Sequence, residues 1–160
     1  MSAAVTAIDL RTGSAADIAT LERLMADAFD PRFGEAWTRG QCLGVLGMPG
    51  VWLTLAEVDG APVGFALARA VADEGELLLL ATARPFRRRG VGAALLRATL
   101  DACRARDLAT LHLEVREGND AARLYRRAGF DKVGERRGYY RGRDGQAFNA
   151  QTFRRNLARS

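Results

Sequence analysis

Apolar residues recur along this chain with two periods, and the switches between them mark its elements. Ile18, Leu21, Leu24, Met25 and Phe29 repeat at helical spacing, and Ser14 with Asp17 three residues on has the form of a capping box. A helix is therefore predicted over Ala15–Ala28, with Thr6–Leu10 as a strand before it and Ala36–Leu46 as a shorter helix after it. Met48-Pro49-Gly50 breaks the chain. Val51–Val58 and Pro62–Ala70 then read as strands joined at Asp59-Gly60, a dipeptide that tolerates the left-handed backbone of a tight hairpin. Leu77–Ala83 is a continuous apolar run, the pattern of a strand buried on both faces. Helical spacing returns over Gly90–Arg106, with Val91, Leu95, Ala98 and Ala102 as one stripe and Leu96, Leu100 and Cys103 beside it. Leu111–Val115 alternates as a strand. Asn119 offers an N-cap for a helix through Arg127, Gly129 turns the chain back, and Lys132–Arg141 and Gln146–Arg155 flank a turn at Arg143-Asp144-Gly145. The order β-α-α-β-β-β-α-β-α-β-β predicts an α/β protein, a mixed sheet of seven strands with helices on both faces, in a single domain over 1–160.

Composition narrows the class without choosing a function. At 160 residues, 48% hydrophobic and 27% charged, the chain is an ordinary globular domain rather than a disordered one. Its net charge of +5 is carried almost wholly by arginine, with Lys132 the only lysine. Such a surface suits coenzyme phosphates, nucleic acid or a ribosome, and charge alone does not separate them. Cys42 and Cys103 lie in different predicted helices without disulfide or zinc spacing and read as core; with His112 the only histidine, neither a metal cluster nor a Ser-His-Asp triad is expected. Met1–Gly13 lacks a basic start followed by an apolar core, and no apolar run approaches the roughly 18 residues of a membrane span. A cytoplasmic protein is expected.

The densest chemistry lies at Arg87-Arg88-Arg89-Gly90-Val91-Gly92-Ala93, between the apolar strand and the long helix. A helix start presents unpaired N–H groups and the positive end of its dipole, two glycines let an anion approach the backbone, and three guanidinium groups add charge. A tight turn beside a solvated arginine run reads the same way from residues alone. The segment is neither a Walker A loop nor a Gly-x-Gly-x-x-Gly fingerprint, since Leu95 stands at the third glycine position.

What remains is an Arg-x-x-Gly-x-Gly pattern, which resembles the pyrophosphate-binding turn of the GNAT superfamily of N-acetyltransferases. Leu113-Glu114-Val115-Arg116, Asn119, Leu124-Tyr125, Ala128-Gly129-Phe130 and Arg136-Arg137-Gly138-Tyr139-Tyr140 resemble successive landmarks of the RimI-type branch, which acetylates N-terminal alanine. The likeness covers roughly the second half of the chain; the first half adds an acidic-Ala-Trp segment at Glu35–Trp37. The resemblance implies the GNAT fold, acetyl-CoA as co-substrate with no metal, and a ribosomal protein's N-terminus as acceptor.

Alternation sets Leu111, Leu113 and Val115 on one strand face and His112, Glu114 and Arg116 on the other. A carboxylate there reads either as an ion pair with a nearby arginine, Arg116 or one on a neighbouring strand, or as a general base for an amine. The resemblance assigns Glu114 the second role and makes Tyr125 the proton donor to the leaving thiolate. It also implies that backbone groups at Leu80, Ala81 and Thr82 hold the acetyl carbonyl and pantetheine arm where the strand splays, and that Asn119 touches the coenzyme. One departure stands out: Tyr125 follows Asn119 by six residues, where the family pattern has seven.

Trp37, Tyr139 and Tyr140 resemble features flanking the acceptor, and they fit a peptide cleft, a small-amine pocket or plain core alike. Three functions are carried forward: N-terminal acetylation by direct transfer in a ternary complex, acetylation of lysine side chains or small amines, and a basic nucleic-acid-binding module built on Arg87–Arg89 and the arginine-rich tail.

Overall fold

The computed structural model describes residues 7–157. Seven strands form one sheet in the order β1-β2-β3-β4-β5-β7-β6. They are β1 (Asp9–Gly13), β2 (Val51–Val58), β3 (Ala61–Val71), β4 (Glu74–Thr82), β5 (Thr110–Arg116), β6 (Asp131–Arg141) and β7 (Ala147–Asn156). Every neighbouring pair is antiparallel except β4 and β5. A parallel pair needs a crossover, and α3 (Val91–Ala105) supplies it. The mixed, mostly antiparallel sheet expected from the sequence is the one formed. Its first strand begins later than the pattern indicates, and Thr6 lies outside the described residues.

Helices cover both faces. On one, α1 (Ile18–Ala28) and α2 (Arg39–Leu46) bury Leu21, Leu24, Met25 and Cys42 against Leu53, Leu55, Phe65 and Leu67. On the other, α3 and α4 (Ala121–Arg127) pack Leu95, Leu96, Leu100 and Tyr125 on Leu111, Leu113 and Phe153. Ser14 and Asp17 make the capping box, although its first turn is 3-10 and α1 proper starts at Ile18. A second box, Thr38 with Gln41, starts α2 later than the apolar pattern suggests. The buried stripe of α3 runs over Val91, Leu95, Thr99 and Cys103 with Leu96 and Leu100, leaving Ala98 and Ala102 half-buried at its margin. Thr99 is tolerated there because its hydroxyl donates to the Leu95 carbonyl at 2.8 Å.

One strand departs from its sequence pattern in a way that creates the site. β4 is not uniformly buried: Leu77, Leu79 and Ala81 are buried, whereas Leu78 and Leu80 are half-open. The register explains it, since Leu67 pairs with Leu79 and Ala68 with Leu77, which leaves Leu78 as the extra residue of a bulge. The bulge resets the alternation. Leu77 joins the core under α3, and Leu79 and Ala81 join the core under α1.

Candidate active site

The parallel pairing of β4 with β5 runs from Glu74↔Thr110 to Leu77↔Leu113 and stops. β4 continues to Thr82 and β5 to Arg116, so beyond Leu77 the strands diverge and the β5 side of Leu78–Thr82 has no strand to pair with. Leu80, Ala81 and Thr82, expected to offer free backbone groups, lie on that open stretch. The bulge at Leu78 sits where the opening begins.

A cavity of about 100 Å³ fills the opening and brings together Trp37, Leu80, Glu114, Asn119, Tyr125, Tyr139 and Tyr140. Two long-range contacts build its outer wall. The segment between α1 and α2 lies on the β6–β7 hairpin, with the Arg143 amide donating to the Pro31 carbonyl at 3.1 Å and Phe33 packed edge-on against Phe148. Its approach is so close that a Cβ on Gly34 would sit 2.0 Å from the Arg141 carbonyl oxygen. This latch delivers Glu35 and Trp37. From the other side, an irregularity in β6 sets five residues, Arg136 to Tyr140, against three of β7, Phe148 to Ala150, with Gly138 in the left-handed region at φ 61°. That detour lays Tyr140 over the sheet, its hydroxyl donating to the main-chain oxygen of Glu114 at 3.2 Å.

Glu114 is held by two partners. Thr152 of β7 donates its hydroxyl to Oε2 at 2.6 Å, and Arg136 of β6 places Nε 3.1 Å from Oε1. The side chain is 12% exposed. The ion pair that the sequence allowed is thus made across two strands, and Arg116 has another task. Its guanidinium covers the Phe33 ring at 3.7 Å, and its Nε lies 3.2 Å from Glu35 Oε1, within ion-pair reach but off the line of the N–H. Asn119 completes this group. Its Nδ2 donates to Glu35 at 2.8 Å and its Oδ1 accepts the Ala121 amide at 2.9 Å at the start of α4, where the N-cap position expected for Asn119 falls to Asp120. Both ends of its amide thus make one hydrogen bond each within the protein.

Tyr125 stands on α4, its ring edge-on to Phe130, and is only 6% exposed. Its hydroxyl opens into the cavity with no hydrogen-bond partner among the described residues. Burial pushes the phenol well above its ordinary range, so it is a neutral O–H donor. Glu76 of β4, which the sequence reading did not single out, lines the same cavity, with His112 Nε2 2.9 Å from its Oε2. Its signal was visible as Glu74-Gly75-Glu76 just before the apolar run.

The second centre lies at the start of α3, outside the cavity. Gly90 caps the helix at φ 84°, and the amides of Val91, Gly92 and Ala93 have no acceptor among the described residues. Gly92 has a further constraint: a Cβ there would meet Leu124 of α4 at 3.2 Å. The arginines differ. Arg87 donates to the Ala28 carbonyl at the end of α1, Arg88 holds a left-handed turn at φ 62°, and Arg89 lies over Phe86. Arg88 and Arg89 are the guanidinium groups left for an anion.

The comparisons accord with this geometry. The signature of the acetyltransferase (GNAT) family matches residues 18–130. The ribosomal protein bS18-alanine N-acetyltransferase of Haemophilus ducreyi is 35% identical over 115 residues, 71% of this chain and 79% of that protein. The crystal structure of the ribosomal-protein-S18-alanine N-acetyltransferase from Escherichia coli superposes with a TM-score of 0.84 over 96% of both chains at 27% identity. That of Arabidopsis thaliana NAA60 in complex with acetyl-CoA shares the fold, with a TM-score of 0.79 and 21% identity over 94% of this chain and 99% of that one. With its diverging strands, free helix-start amides and matched signature, this chain belongs to the acetyltransferase (GNAT) family, whose members use acetyl-CoA.

Proposed function

We propose that the protein moves the acetyl group of acetyl-CoA to the N-terminal amine of another protein, an alanine on a ribosomal protein, by direct attack in a ternary complex. The observation that carries the reading is that Glu114 and Tyr125 line one cavity where β4 leaves β5. The names of the Haemophilus and Escherichia relatives support the acceptor class. The sheet is read as a single catalytic domain over 1–160 working in the cytoplasm, with neither nucleic acid nor membrane in its chemistry.

The residues fit the co-substrate. Free amides at Val91, Gly92 and Ala93, the positive end of α3, and Arg88 and Arg89 suit a diphosphate. Arg87 braces this turn from behind. The unpaired edge at Leu80, Ala81 and Thr82 suits an extended pantetheine arm and supplies donors where charge develops on the acetyl oxygen. Acetyl-CoA supplies a thioester carbonyl with a thiolate leaving group. Asn119, expected to touch the coenzyme, also holds Glu35 and the start of α4 through its side-chain amide.

An α-amino group, with a pKa of about 7.7 to 8.0, is far easier to deprotonate at neutral pH than a lysine at about 10.4. Glu114, directly or through one water, takes that proton. As the C–N bond forms and the C–S bond breaks, Tyr125 gives its proton to the departing sulfur. Burial pushes the Cys103 thiol up to about 11 inside the packed face of α3, so no acetyl-enzyme forms there. Trp37, Tyr139 and Tyr140 wall the acceptor's path.

The test is thiol release from acetyl-CoA with an alanine-starting peptide, beside the same peptide already N-acetylated, free lysine and small amines. Release is expected with the free N-terminus alone, and Glu114→Gln should lower kcat by roughly 10²–10⁴-fold. Preference for lysine or a small amine overturns the acceptor, and a burst of acetyl-enzyme without acceptor overturns direct transfer.

A further inference from the structure

The cavity is acidic in a basic protein. Lysine and arginine number 24 against 19 aspartate and glutamate, yet the charged side chains lining the cavity are Glu35, Glu76 and Glu114, with no lysine or arginine in the lining. The three differ in what neutralises them. Glu35 is 9% exposed against Arg116, and Glu114 is 12% exposed against Arg136, both permanent cations. Glu76 is 43% exposed, and its partner is His112, which engages Oε2 and leaves Oε1 without a hydrogen bond from any described residue. Arg69 and Arg136 favour its charge from a distance without reaching it as ion pairs. Two carboxylates are thus spent inside the protein, and the third faces outward.

An independent feature marks the cavity as a ligand site: Tyr125, a buried residue whose hydroxyl has no hydrogen-bond partner among the described residues, lines it. Position then identifies which part of the ligand meets Glu76. Glu76 pairs in parallel register with His112, two residues before Glu114. Two residues along a strand and one strand across place the Glu76 and Glu114 backbones about 8 Å apart. A peptide advances roughly 3.3–3.6 Å per residue, so with its amine at Glu114 the long side chain of its second residue reaches Glu76.

We propose that Glu76 is a specificity-determining residue that takes an arginine or lysine side chain at the second position of the acceptor, within the cavity it lines together with Tyr139. This rests on the reading that the acceptor is a protein N-terminus.

The experiment compares kcat/KM for three peptides identical except for arginine, glutamine or glutamate after the N-terminal alanine. The wild type should prefer arginine over glutamate by about tenfold, carried by KM. Glu76→Gln should shrink that ratio, and Glu76→Arg should invert it so that the glutamate peptide becomes the better acceptor. Loss of folding would depress all three peptides together, and only a direct contact reverses their order. Equal use of the three by the wild type overturns the inference while leaving N-terminal acetylation standing. Failure of all three, with free lysine accepted, overturns both.

Discussion

Placing alanine at two glycines should have opposite effects, and the contrast tests whether the splayed strand is packed as described. Gly64 in β3 pairs with Thr82 at the far end of β4, and a Cβ there would lie 2.7 Å from the Ala81 carbonyl oxygen, 3.1 Å from Val91 and 3.2 Å from Leu95. The nearest atom is backbone, and the other two belong to side chains 1% and 0% exposed, so nothing can swing aside. Overpacking of this kind costs about 1–3 kcal/mol. At this chain length each kcal/mol moves Tm by roughly 2–4 °C, so Gly64→Ala should melt about 2–12 °C lower. Gly44 in α2 has nothing within 4 Å of its virtual Cβ. Gly44→Ala therefore gains only the helix preference of alanine, about 0.5–1 kcal/mol, and should melt roughly 1–4 °C higher. Calorimetry on the two variants gives the signs. Steady-state kinetics add a second readout, because Ala81 and Val91 flank the coenzyme strip: Gly64→Ala should raise KM for acetyl-CoA while sparing KM for the acceptor. A Gly64→Ala protein that melts with the wild type would refute the close approach of β3 to β4.

Tyr125→Phe removes a hydroxyl that has no hydrogen-bond partner among the described residues, so Tm should hold while kcat falls by up to about 10²-fold; a drop in Tm with kcat intact would reassign the residue to packing. The Glu76–His112 pair should make stability depend on pH. Glu76 holds the His112 pKa above its ordinary 6.5, so that contribution is full below 6.5 and fades as pH rises through the raised value. His112 holds the Glu76 pKa below its ordinary 4.5, so that contribution is full above 4.5 and fades as pH falls through the lowered value. The pair is therefore strongest at about pH 4.5–6.5. Both side chains being partly exposed, its worth is at most about 1 kcal/mol. The Tm difference between wild type and Glu76→Gln should peak in that window and vanish at alkaline pH, and a flat difference would sink the assignment.

What the sequence disclosed was what local chemistry decides. The box at Ser14 and Asp17, the Asp59-Gly60 hairpin and the glycine turn before α3 each specify themselves within a few residues. The Thr38 to Gln41 box was equally readable and sets the start of α2. Harder to read was anything decided by a partner far along the chain. Leu78 becomes a bulge only in the register of β4 against β3, so a run of leucines could not show which of them face α1 and which α3. Glu114 was legible as a strand carboxylate, but its arginine arrives from β6 through an irregular stretch marked only by Gly138. Glu35 and Trp37 owe their place to a latch between two loops.

The divergence of β4 from β5 looks expensive, since it leaves backbone groups unpaired in the middle of a sheet. Its cost is limited because each diverging strand keeps one complete neighbour. β4 stays paired to β3 from Val71↔Glu74 to Gly64↔Thr82, and β5 stays paired to β7 from Thr110↔Asn156 to Arg116↔Ala150. Only the inner rows of donors and acceptors are exposed, and these are the groups an extended thioester can satisfy. The same arrangement fixes the catalytic groups. Glu114 is held from the β7 side by Thr152, and Tyr125 is packed against Phe153 of that strand, so both answer to a rigid ladder rather than to the opening they face. A site built this way can remain open to two substrates without becoming loose.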